Sequence, residues 1–133
     1  MTGERDLQVL IGSMQPVLHE DPYAYACLPI GKTPPAGIFA TVAEDEGLTL
    51  IARASVLRAA GIDPGPPFAR ISLTVHSALE AVGLTAALAR ALADRGISAN
   101  VVAGFHHDHI FVGWDDRDAA VAALLALSGS TGA

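Results

Sequence analysis

The second half of the chain predicts an α+β fold built on the split βαββαβ pattern. Three observations carry that reading: a two-residue apolar period, a helical period behind it, and then a hairpin followed by a second helix. Ile71, Leu73 and Val75 alternate with Ser72, Thr74 and His76, the pattern of a strand with one buried face. From Val82 to Arg95 the period lengthens, with Leu84, Leu88, Ala91 and Leu92 at helical spacing and Gly96 where a helix would stop. Val101, Ala103 and Phe105 alternate again. The polar run His106-His107-Asp108-His109 then forms the expected turn, and Ile110, Val112 and Trp114 form the returning strand. Asp115 and Asp116 are placed to cap a last helix whose buried stripe is expected at Val121, Leu124, Leu125 and Ser128.

These are five of the six elements of a βαββαβ unit. Either its sheet stops at three strands, or the first half donates the sixth. Gly61-Ile62-Asp63-Pro64-Gly65-Pro66-Pro67 joins the halves, since neither a helix nor a central strand continues through it. The expected organisation is therefore a strand-rich N-terminal lobe over 1–62, a joint over 61–67, a C-terminal domain over 68–128 and a disordered tail over 129–133. In the first lobe, strands are expected at 16–19, 23–28, 38–42 and 48–52, with short helices over 6–14 and 54–60.

Composition narrows the function classes. With 133 residues, 51% of them apolar, the chain can bury a core. Eight Lys and Arg against fourteen Asp and Glu give a net charge of −6, and the cations are scattered, so nucleic acid is a poor partner. A single cysteine, Cys27, excludes an internal disulfide and cysteine-paired zinc. The acidic N-terminus and the lack of any membrane-length apolar run point to a cytoplasmic protein without membrane partners. No nucleotide-binding glycine motif occurs and no cofactor is expected.

The run Thr74-Val75-His76-Ser77-Ala78-Leu79-Glu80-Ala81-Val82-Gly83-Leu84-Thr85, continued by Leu92-Ala93-Asp94-Arg95-Gly96-Ile97, resembles the ACT-domain pattern. With Glu46-Gly47-Leu48-Thr49-Leu50 upstream and the histidine hairpin downstream, the whole chain resembles a family of small bacterial ACT-like domain proteins of unknown function. That family is related by fold to aspartokinase regulatory domains and to amino-acid sensors. The resemblance implies a ferredoxin-like fold in which two ACT-like lobes share antiparallel sheet. It also implies a non-enzymatic regulatory role, an amino acid as ligand and homodimerisation. Edge strands of such small units commonly pair across subunits.

On that basis His76, Ser77, Leu79, Glu80, Val82, Gly83, Leu84, Thr85 and Asn100 are the candidate ligand-binding residues. The physics agrees: Gly83 lets backbone approach a ligand, free amides of the next helix attract a carboxylate, and Glu80 can pair with an ammonium. His106, His107, Asp108 and His109 form a candidate secondary site. Imidazoles and a carboxylate are metal ligands, but this spacing matches no zinc signature, and an exposed or interface turn explains it as well. In a turn these residues can converge, and His19 or His76 can supply a distant ligand. His76 beside Ser77 does not read as a nucleophile pair, because strand neighbours face opposite ways. The competing readings are a structural or interaction module without a ligand, and a metal-dependent enzyme built on the histidine run.

Overall fold

The computed structural model describes residues 6–75 and 82–131. Helix α1 (Leu7–Ser13) starts at Asp6, whose carboxylate accepts the Gln8 and Val9 amides at 3.0 and 3.2 Å. Leu10, Ile11 and Met14 are buried beneath it. Strand β1 (Pro16–Leu18) follows. Up to His19 the chain belongs to one compact unit, which resumes at Ala69; Glu20–Phe68 form the other.

The inserted unit holds strands β2 (Tyr23–Leu28), β3 (Ala40–Glu44) and β4 (Gly47–Arg53) and the short helix α2 (Ala54–Ala59). Strand β4 lies antiparallel between β3 and β2, and Tyr23 of β2 pairs on its other side with Phe68. Residues 29–39 carry Pro29, Pro34 and Pro35 and turn without forming a helix between β2 and β3. Ala24, Leu28, Leu50, Ala52, Ala54 and Leu57 make the core of this unit. Tyr23 and Tyr25 pack edge-on against Phe39 and Phe68, at ring separations of 6.2 and 5.4 Å, so their alternation serves packing.

The other unit continues with β5 (Phe68–Leu73), α3 (Leu84–Ala93), β6 (Asn100–Ala103) and β7 (Asp108–Gly113). A 3-10 turn over Trp114–Asp116 then leads into α4 (Arg117–Thr131). Strand β1 answers the question of the sixth strand: it pairs antiparallel with β5, Pro16 opposite Leu73 and Leu18 opposite Ile71. The order β1-β5-β7-β6 is that of a ferredoxin-like sheet whose last strand comes from the start of the chain. Ile71, Leu73, Leu88, Leu92, Ile110, Val112 and Leu124 fill the space between sheet and helices together with Leu10 and Met14 of α1.

Two details of the sequence reading are corrected. The hairpin closes earlier than expected: Ala103 pairs with Asp108, and the Gly104 amide donates to the His107 carbonyl at 2.9 Å. Asp108 and His109 therefore belong to β7 and not to the turn. Glycine permits this, because a Cβ at position 104 would stand 2.8 Å from that carbonyl. In α4 the buried stripe runs through Ala120, Ala123, Leu124 and Ser128, while Leu125 is 48% exposed and Val121 partly buried. The Ser128 hydroxyl donates to the Gly12 and Met14 carbonyls at the end of α1, which satisfies a polar group buried in the core.

Candidate functional site

Of the expected ligand loop, His76, Ser77, Leu79 and Glu80 lie outside the described residues. The remainder is clear. Gly83 takes φ +99° and caps α3 without any side-chain hydrogen bond among the described residues, leaving first-turn amides that lack intrahelical acceptors. The left-handed φ disfavours other side chains there, and a Cβ would stand only 3.0 Å from Leu7 Cδ2 at the end of a flexible side chain of α1. Val82 is 85% exposed and Thr85 is also exposed, but the Leu84 side chain is buried in the core and offers a ligand only its backbone. Asn100 is exposed at the start of β6, opposite Phe111, with its side-chain amide 3.5 Å from the Phe111 carbonyl.

The histidine run does not converge. His106 packs edge-on against Phe105 at 5.0 Å, and its ring lies 6.4 Å from that of His107. His107 Nδ1 donates to the Val75 carbonyl at 3.2 Å. Asp108 and His109 are consecutive on β7, so they leave the strand on opposite sides. Among the described residues no group of three or more His, Cys, Asp or Glu is placed to hold a metal ion.

His109 instead joins Arg70 and Ser72, which no local pattern groups with it, and His19, named above only as a distant metal ligand. Its Nδ1 lies 2.8 Å from Ser72 Oγ and 3.3 Å from an Arg70 guanidinium nitrogen, and Ser72 Oγ lies 2.7 Å from His19 Nε2. Burial, followed by the charges of Arg70, His19 and His107, pulls the His109 pKa down to about 4. His19 is lowered as well, first by burial and then by Arg70. The only local trace of this cluster was the polar half of the β5 alternation, Arg70 and Ser72. Elsewhere in the unit, a groove of about 490 Å³ between α3 and α4 is lined by Ala87, Ala91 and Ala123 with Arg90, Asp94 and Arg95.

Comparison with known proteins places these features in a family. Two ACT-domain models match the chain in tandem, over residues 2–69 and 69–126. Among solved structures, a protein of unknown function from Vibrio cholerae, described as a possible transport protein, is 41% identical. It covers 92% of this chain over 95% of its own, at a TM-score of 0.78. A protein from Agrobacterium tumefaciens is 20% identical, at a TM-score of 0.70 over 86% of this chain and 89% of its own. The regulatory subunit of aspartate kinase from Thermus thermophilus shares the fold at 12% identity, with a TM-score of 0.58 over 84% of this chain and 95% of its own. No curated protein matches. Among the described residues no helix is long and apolar enough to cross a membrane. The matched models span the described fold almost from end to end, and the chain belongs to the ACT-domain family, with two such domains in tandem.

Proposed function

We propose that this protein is a non-enzymatic regulatory module that binds an amino acid and acts as a cytoplasmic homodimer. The observation that carries the reading is the tandem ACT organisation combined with the Gly83 turn. ACT domains commonly bind amino acids in regulatory roles, and the models matched are regulatory rather than catalytic. The likeness in fold to an aspartate kinase regulatory subunit supports the same role. On this reading the N-terminal ACT-like lobe spans 1–62 in sequence and the C-terminal ACT domain 68–128, with strand β1 of the first stretch lent to the sheet of the second. The ligand carboxylate meets the amides of Gly83, Leu84 and Thr85, and Asn100 supplies a side-chain contact beside His76, Ser77, Leu79, Glu80 and Val82. The helix start favours a negative charge because, among the described residues, no capping side chain compensates its partial positive charge.

Thermal denaturation of the full chain in the presence of each of the twenty amino acids tests the proposal. At least one is expected to raise the midpoint, since a ligand at about 100 times its Kd adds about 2.7 kcal/mol. Asn100→Ala is expected to weaken that response while leaving the unliganded midpoint within about 2 °C of the parent. No shift with any amino acid at millimolar concentration would overturn it in favour of a purely structural module.

A further inference from the structure

Helix α4 is apolar nearly all round. After Arg117 and Asp118 it carries no charged residue as far as Gly129. One side, with Ala120, Ala123, Leu124 and Ser128, enters the core. The other presents Ala119, Ala122, Leu125 and Ala126, all exposed. A solvated helix sets charged residues opposite its apolar stripe, whereas a helix without a polar face is one that is covered on both sides. Alanine's high helix propensity explains why the segment is helical. It does not explain successive turns of exposed surface without a charged side chain.

Helix α3 continues the same surface. Ala87 and Ala91 line its side of the groove that separates it from α4, and Arg90, Asp94 and Arg95 stand at the rim, all three exposed. Among the described residues none of these three side chains forms an ion pair or a hydrogen bond. Arg90 and Asp94 are one turn apart, so opposite charges sit at successive heights along one side of the helix. A surface that meets its own copy across a twofold axis has to be complementary to itself. Antiparallel helices satisfy that condition here. With the axis midway between Arg90 and Asp94, each arginine faces the aspartate of the other copy.

We propose that the exposed face of α3 and α4 is a homodimer interface, covered by the same face of a second copy with α3 antiparallel to α3. This rests on the reading of the protein as a homodimer and names the surface that forms it. Small side chains let the helices approach closely, to about 8 Å between axes. Apolar area removed from water supplies the affinity, and the rim charges select direction and register. Along α3, its C-terminal turn and α4, Arg90, Arg95 and Arg117 outnumber Asp94 and Asp118. Two copies of a chain with net charge −6 therefore meet here with less repulsion than that total implies. A lipid surface is the poorer occupant, because a helix that lies on one carries aromatic residues within its apolar face, and these helices have none.

Sedimentation equilibrium of the full chain at concentrations up to about 100 µM reads the association. The parent is expected to sediment at twice the mass of the chain. Asp94→Arg sets arginine against arginine, and Ala126→Glu places a carboxylate within the apolar face. Each is expected to weaken the dimer about tenfold or more while the helical circular dichroism stays unchanged. The exchange Arg90→Asp with Asp94→Arg keeps the antiparallel pairing and is expected to restore the affinity to within about threefold of the parent. Should Asp94→Arg fail to fold, Ala126→Glu makes the same comparison. A dimer unchanged by both single variants, or an exchange that restores nothing, would overturn this interface and leave the homodimer to another surface. A parent that stays monomeric at about 100 µM would overturn the interface and the homodimer together. Co-sedimentation of that monomer with phosphatidylglycerol and phosphatidylcholine vesicles would then assign the face to lipid, and its absence to a different protein.

Discussion

Replacing His109 by asparagine tests how strongly stability depends on keeping an imidazole neutral beside Arg70. The unfolded chain holds this proton near pH 6.5, whereas the folded chain gives it up down to about pH 4. Between those values the unfolded state binds more protons, so stability rises with pH. The contribution is fully present above about pH 6.5 and is lost as the pH falls through about 4. At 1.36 kcal/mol per pH unit the whole interval bounds the effect near 3 kcal/mol. Solvent screens a half-buried ring, which brings the expectation to about 1–2 kcal/mol. Urea unfolding of both proteins at about pH 7.5, 6 and 4.5 measures it, read as the difference between parent and His109→Asn at each pH. Carboxylates titrate in both proteins, so their effects largely cancel in that difference. The parent should lose its advantage on acidification. A difference independent of pH, or one that grows toward acid, would refute the argument that Arg70 and burial hold His109 neutral.

Two further substitutions test packing. Gly47→Ala would place a Cβ 2.7 Å from Cys27 Sγ and 2.8 Å from the Leu28 carbonyl oxygen, on a backbone at φ +153°. Neither the turn nor the adjacent β2 backbone can give way cheaply. A loss of about 2–4 kcal/mol is expected in thermal or urea unfolding, and a loss under about 1 kcal/mol would contradict the geometry. Leu88→Ala removes a fully buried side chain from the core under α3 and is expected to cost about 3–4 kcal/mol by the same measurement, with the sheet retained in the circular dichroism spectrum.

Local pattern was enough to find most of the elements. The alternation at Ile71 and Leu73, the helical spacing of Leu84, Leu88 and Leu92, and the Gly-Pro joint each act over a few residues, where steric preference and one-sided burial decide the conformation. The same holds for Tyr23–Leu28 and for the short helices on either side of the first lobe's strands, which lie within two or three residues of where the periodicity puts them. Family resemblance along Thr74–Thr85 and Leu92–Ile97 supplied the fold by name, and the tandem models agree with it. The turn at Gly104 was misplaced because four polar residues in a row look like a turn. The deciding factor was instead which backbone could tolerate the His107 carbonyl at close range.

Pairing over long separations was beyond the reach of sequence. Nothing local in Pro16–Leu18 says that its partner is Leu73 to Ile71, because a strand's period records which face is buried and not which neighbour it will find. For the same reason Arg70 and Ser72 could not be grouped with His19 and His109: they carry ordinary polar alternation, and only the register of β1, β5 and β7 brings the four side chains to hydrogen-bonding distance. Sequence by itself determined the kinds of element, their order and the glycine that opens α3. Tertiary structure decided that the start of the chain completes the second ACT sheet. It also decided that a histidine read as part of a turn belongs to a strand and joins a hydrogen-bonded side-chain cluster there, because backbone pairing across the sheet sets register while side-chain period does not.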